Sequence, residues 1–310
     1  MNFVGTSKIA IFISIFIILL GIVSLVVKKG PNYGIDFAGG LSIQLKFSKP
    51  FKVDDIRSVL KTMGLGNSII QEIGKEGNNE VLIRAQKTDT GLDRLSNKIT
   101  KAITASDKFS QNNFEILKVD MVGPRAGKIL RKKGVWACFW AVVVMLIYVT
   151  YRFELPYALG GIVALFHDLL ITIGIFSILN KEFDIGILAA LLTILGYSIN
   201  DTIVLFDRVR ENLKFSKKES YNTIINNSIN QTISRTVLTS ITTLLPLTTI
   251  FFFGGEVLHD ISFALLIGIT VGTYSSIFIA SPVVVFWNRY KNKANQKETV
   301  KKLTKAKVSV

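Results

Sequence analysis

The stretch IGILAALLTILGYSINDTIVLFDRVREN (185–212) sets Asn200 and Asp201 side by side near the end of an apolar run. That run, Ile185–Phe206, has the roughly 20 residues that carry a helix across a bilayer core. An amide and a carboxylate are each costly to bury there. An ionisable residue within a span is a functional-site candidate by default.

Five further windows of the same kind flank it: Ile9–Val27, Val135–Tyr151, Leu155–Leu179, Thr236–Phe253 and Ile261–Trp287. The 310 residues are 49% hydrophobic and the mean hydropathy is +0.42, which places the chain in the membrane class. A backbone in lipid must satisfy its polar groups internally, so the expectation is an α-helical polytopic protein with six spans arranged 1 + 5. The first window is read as a retained span and not a cleaved leader. Its 19 apolar residues run into Lys28, Lys29, Gly30 and Pro31 without a small-x-small cleavage site.

The net charge of +15 does not call for nucleic acid, because the basic residues cluster beside the spans as membrane flanks do. One cysteine, Cys138, and two histidines, His167 and His259, exclude an intrachain disulfide and suggest no metal site. No cofactor is expected. Lys and Arg crowd segment 207–235 and the tail 288–310, so both are expected on the cytoplasmic side. That reading also puts the N-terminus (1–27 with its span) on the cytoplasmic side, and 28–134 outside. The five-span region is 135–287.

Segment 28–134 reads as a compact α+β domain. Leu41, Ile43, Leu45 and Phe47 alternate as a half-buried strand does. Ile56, Val59, Leu60 and Met63 share one helical face, and Leu92, Leu95, Ile99, Ala102 and Ile103 another. Strands are expected at 68–73 and 80–85, joined by GKEGNN, and a last one over Phe114–Met121. The order βαββαβ is ferredoxin-like. Such a fold names no function, and no catalytic constellation is visible in it, so the chain is not expected to be an enzyme. Within 207–235, Ser216 and Glu219 resemble a capping box. Tyr221, Ile225, Ile229 and Ile233 then form either an interfacial amphipathic helix or a helix packed on the end of the bundle.

The intramembrane polar residues are the candidate site: Asp168 beside His167, Asp201 beside Asn200, and Arg235, with Ser198 and Thr202 as supporting hydrogen-bonding groups. At ~1.5 Å per residue, Asp168 lies roughly 18 Å from Pro156, and Asp201 roughly 8 Å from Phe206. Two readings stand. One is a carboxylate that loads and releases protons as a cation moves toward and away from it. The other is a structural ion pair between Asp201 and Arg235, with Asp168 a cross-helix hydrogen-bonding group. Gly268 and Gly272 form a GxxxG, which marks close helix packing.

Five stretches together resemble the SecD/SecF family of protein-export membrane proteins, within the resistance-nodulation-division superfamily. They are GIDFAGG (34–40), ALFHDLLITIGIF (164–176), FDIGILAALLTILGYSINDTIVLFDRVREN (183–212), SINQTISRTVLTSITTLLP (228–246) and VGTYSSIF (271–278). The resemblance implies a subunit that uses the proton motive force to promote preprotein translocation across the bacterial inner membrane. It implies SecD as the second half, the SecY–SecE–SecG channel complex and the translocating preprotein as partners, and YajC as a further candidate. It implicates Asp201 and Arg235 in proton flow. Gly34, Asp36, Gly39 and Gly40 become candidates for a hinge where the outer domain joins the membrane, beside the simpler reading of a structural turn. The competing functions are a half-transporter for lipid or small molecules and a non-conducting scaffold.

Overall fold

The computed structural model describes residues 2–66, 68–73, 78–85, 92–110, 112–216 and 219–291. Residues 74–77 of the expected GKEGNN turn, and tail residues 292–310, lie outside this set. Six helices are long and apolar enough to cross a membrane: α1 (Phe3–Val27), α5 (Pro124–Arg152), α6 (Leu155–Ile178), α7 (Ile185–Phe215), α8 (Tyr221–Phe253) and a last span within Leu258–Lys291. The last span begins as α9 (Glu256–Ser275) and passes through a π turn at Ser276–Ala280 before continuing. Pro282 has no N–H to give to a regular turn, and the wider π turn just ahead of it is a common adjustment at such points.

The soluble part lies between α1 and α5. A short helix α2 (Ile35–Ala38) leads into β1 (Gly40–Phe47), α3 (Val53–Thr62), β2 (Ile69–Ile73), β3 (Glu80–Ala85), α4 (Leu92–Thr104) and β4 (Phe114–Val122). The sheet is antiparallel in the order β2-β3-β1-β4, the ferredoxin-like arrangement. Its register stacks Ile43 on Ile83 and on Val119, and Leu41, Ile43 and Leu45 are fully buried. These side chains share a core with Ile56 and Leu60 of α3 and with Leu95, Ile99 and Ile103 of α4. Period 2 in the strands and period 3.6 in the helices therefore point at the same core.

Two segments differ from the sequence expectation. Segment 207–235 is not a loop: α7 runs to Phe215 and α8 starts at Tyr221. Ser216 is the C-cap of α7, and the N-cap of α8 is Ser220, whose hydroxyl accepts from the Thr223 N–H. The row Tyr221, Ile225, Ile229 and Ile233 packs into the main membrane core, which answers the two readings of that helix in favour of packing. Its polar Asn, Gln and Ser neighbours had masked a continuous helix. Lastly, α5 begins at Pro124, eleven residues before the apolar window, because its Lys- and Arg-rich first turns are helical without being apolar.

α1 docks on α6 through glycine. A Cβ placed on Gly21 would lie 2.6 Å from the Gly174 Cα, a backbone atom that cannot rotate away. One turn on, Ser24 Oγ and Ser177 Oγ are 2.8 Å apart. Small residues drive such contacts in lipid, where the hydrophobic effect does not. Gly21→Leu is expected to force α1 off α6, an overpacking cost of about 1–3 kcal/mol. In a Cys138→Ala background, cysteines at positions 24 and 177 should cross-link readily with Gly21 and poorly with leucine. Equal cross-linking would show that the two backbones do not approach this closely.

Candidate functional site

Asp168 sits on α6 with no solvent exposure. Its Oδ2 accepts from Ser198 Oγ of α7 at 2.6 Å and from Ser275 Oγ of α9 at 2.9 Å. Its Oδ1 lies 2.8 Å from His167 Nδ1. Three helices thus converge on one carboxylate, which is the condition for keeping a buried polar group. Glycine sets the spacing. A Cβ on Gly268 would lie 2.2 Å from Ile194 Cδ1, and one on Gly272 would lie 3.1 Å from Ser198 Cβ. The GxxxG of α9 therefore seats on the α7 ridge that holds Ser198, and Ser275, one turn past Gly272, reaches Asp168. Ser275 is not among the candidates read from the sequence, because its donor role depends on this approach.

Asp201 lies one turn beyond Ser198 on α7 and is 3% exposed. Its Oδ2 is buried without a hydrogen-bond partner. The supporting Thr202 turns back to its own helix, donating to the Ser198 carbonyl at 3.2 Å. Arg235 is exposed on α8, and among the described residues it forms no ion pair with Asp201. Asn200 is also exposed, on the α7 face that carries Thr193. The structure therefore brings Asp168, His167 and Ser198 together, with Asp201 a turn away, and leaves Asn200 and Arg235 on an open face.

His167 was expected only as a neighbour of Asp168. Its ring stacks on Tyr274 at 6.1 Å between centroids, and its Nε2 is buried without a partner. Tyr274 in turn donates to the Ala10 carbonyl at 2.6 Å and accepts from Ser14 Oγ at 3.1 Å. Nothing in the spacing of Ser14 and Tyr274 along the chain signals this pairing, since they meet across 260 residues.

The glycine stretch 34–40 lies at the N-terminal end of α7. Gly34 N–H donates to the Phe183 carbonyl at 3.0 Å. Asp36 Oδ2 accepts from the Ile185 N–H at 3.1 Å, while Asp184 accepts from Ile187 N–H at 2.9 Å. Two carboxylates thus cap the N-terminus of α7, where orphan N–H groups and the helix dipole favour negative charge. Gly39 takes φ +83° and Gly40 φ +156°, so the chain turns sharply from α2 into β1. Along α7, Ile185 and Asp201 are separated by roughly 24 Å at 1.5 Å per residue.

A second tie joins the sheet domain to the α6–α7 connection. Arg84 of β3 pairs with Glu182 at 2.5 Å, and Glu182 is 8% exposed. Burial raises the Glu182 carboxyl above its ordinary range, and Arg84 offsets only part of this. Asp184 is raised as well, first by burial. A group whose pKa is raised in the docked state adds stability that is complete below its free value. That stability is lost as pH rises through the raised value. Docking of the sheet domain should therefore be tightest in acid and loosen toward neutral pH. Arg84→Gln removes the charge that holds the Glu182 carboxyl down, so the loosening should extend to higher pH, read as hydrogen-exchange protection of Gly34 and Phe183 after correction for intrinsic rates. A pH-independent protection, identical in the variant, would remove Glu182 from the docking contact.

Residues 101–290 match the family described as protein export membrane protein SecD/SecF, C-terminal, and residues 24–51 match the SecD/SecF GG motif. The protein translocase subunit SecF of Magnetococcus marinus is 43% identical over 92% of this chain and 91% of its own. That of Calditerrivibrio nitroreducens is 44% identical over 91% and 92%. A crystal structure of SecDF from Thermus thermophilus, described as a translocon-associated membrane protein, superposes with a TM-score of 0.81 at 36% identity. It covers 93% of this chain, while this chain spans 39% of that one. With a multi-pass helical membrane region, a four-stranded ferredoxin-like sheet and these matches over nine-tenths of its length, the chain belongs to the SecD/SecF family of protein-export membrane proteins.

Proposed function

We propose that the chain is one half of a proton-driven auxiliary complex of the Sec translocase, working with a SecD half to promote preprotein movement through the SecY–SecE–SecG channel. Asp201 carries the proton, Asp168 with its serines holds the neighbouring polar path, and Arg235 supplies the movable counter-charge. The observation that carries this reading is the Asp201 oxygen buried without a partner. A carboxylate kept only for structure is paired or hydrogen-bonded, whereas a proton carrier must be free to change state.

The SecD half is supported by the open polar face. Asn200 and Arg235 are exposed on membrane helices, where lipid would leave them unsatisfied. A second half covering this face would bring its own polar groups to Arg235. The length ratio to SecDF, which carries both names in one chain, fits the same arrangement. Charge in the short connections supports cytoplasmic termini and a periplasmic sheet domain. Transmission runs along α7, a continuous helix with Asp201 at its middle and the cap from Asp36 at its N-terminus.

The test is reconstitution of the chain with SecD and the SecY–SecE–SecG channel in vesicles. Export should be faster with an imposed proton gradient than after its collapse, and the increment should need both halves. A gradient increment that is the same without this chain would sink the proposal.

A further inference from the structure

An open groove of 1110 Å³ lies between α1, α6 and the last span. It is separate from the polar face assigned to the SecD half. Its walls are three apolar rows, with Ile11 and Ile15 on α1, Phe166 and Leu170 on α6, and Val283 and Phe286 on the last span. At its mouth stand Lys8 and Arg289, and no Asp or Glu lines it. Both cations are exposed, and neither forms an ion pair among the described residues. The mouth is fixed in shape, because Asn226 of α8 accepts from the Val4 N–H at 3.0 Å and donates to Asn2 at 3.1 Å.

The dimensions fit one leaflet. From Lys8 to Ile18, the deepest lining residue of α1, the helix rises roughly 15 Å. That is half of the ~30 Å hydrocarbon core. The mouth opens at the end of α1 away from the sheet domain, since the domain follows the other end. The volume exceeds the roughly 300–1,000 Å³ that a drug-sized ligand fills. A transmembrane helix laid in the groove would cover the apolar rows and leave two cations without a counter-charge. A lipid with an anionic headgroup matches both parts, and basic pockets between helices on the cytoplasmic side are where such headgroups bind.

We propose that this groove is a binding site for one anionic phospholipid of that leaflet, its acyl chains along the three rows and its phosphate on Lys8 and Arg289. His167, the neighbour of Asp168, also lines the groove, but the lipid site does not depend on proton coupling.

The full-length chain, purified from nanodiscs of mixed phosphatidylglycerol and phosphatidylethanolamine, is examined by native mass spectrometry. One phosphatidylglycerol should be retained in preference. Each basic residue near a membrane surface favours anionic lipid by about fivefold. The double variant Lys8→Gln/Arg289→Gln should therefore lower that preference by about 30-fold. Both residues are exposed, so the fold is unaffected; a thermal melt in detergent confirms this. Equal retention of the two lipids, or a preference unchanged in the double variant, overturns the proposal. So does a cysteine at Phe166 (with Cys138→Ala) that cross-links to a partner protein's helix in native membranes.

Discussion

Asp201→Asn is expected to reduce gradient-driven export to the rate seen without a gradient, while the complex with SecD should still assemble. Asparagine keeps the size of the side chain and removes its ability to bind and release a proton. The assembly half of the expectation rests on a contact that is missing. Asp201 Oδ2 has no hydrogen-bond partner and the residue forms no ion pair with Arg235 among the described residues. Removing its charge therefore leaves no cation buried alone, the event that makes breaking a buried pair cost about 3–5 kcal/mol. Export with and without an imposed gradient, measured beside co-purification of the two halves, separates the outcomes. Full gradient stimulation in the variant would end the proton-carrier role. Loss of co-purification would favour the structural reading of the carboxylate. Ser198→Ala is the companion, because it takes a hydroxyl from Asp168 at a fully packed position and leaves Asp201 chemically intact.

Gly39→Val is expected to uncouple the sheet domain from α7 without unfolding either. The backbone there has φ +83°, where a β-branched residue is strained by about 1–3 kcal/mol. The new Cβ would also sit 2.7 Å from the Pro124 Cα at the start of α5, and overpacking adds about 1–3 kcal/mol. Neither cost falls on the sheet core, which draws on β1–β3 and the two helices over them. The cheapest relief is to lift α2 from its seat, and the Asp36 cap on Ile185 leaves with it. Hydrogen exchange at Ile185 should quicken and gradient-driven export should fall toward the Asp201→Asn level. Gly30→Ala serves as the control: φ is +125°, and nothing lies within 4 Å of the added Cβ. If Gly39→Val leaves Ile185 protected and export normal, the glycine stretch is a turn with no part in coupling.

Much of the architecture was legible before any coordinates. Six spans follow from runs of apolar residues, since a bilayer imposes one length on every helix that crosses it. The ferredoxin-like domain follows from the switch between period 2 at Leu41–Phe47 and period 3.6 at Ile56–Leu60. The polar residues most worth attention were legible too, because Asp168 and Asp201 are anomalies against an apolar background. The amphipathic start of α8 was harder to read: Asn and Ser alternate with isoleucine there, and only the packing of Ile225 and Ile229 against the bundle resolves it.

What the chain's own pattern determines, then, is which residues are apolar enough to span, where strands give way to helices, and which charges are out of place. Only the tertiary structure decides what those charges meet. Ser275 becomes a donor to Asp168 because Gly268 and Gly272 let α9 lie against α7. Asp36 becomes a helix cap because the turn at Gly39 sets α2 over Ile185. Periodicity is a local property, set by the rise and twist of one element at a time. A carboxylate's partners are set by how closely separate helices approach, and that distance depends on facing residues far apart in the chain.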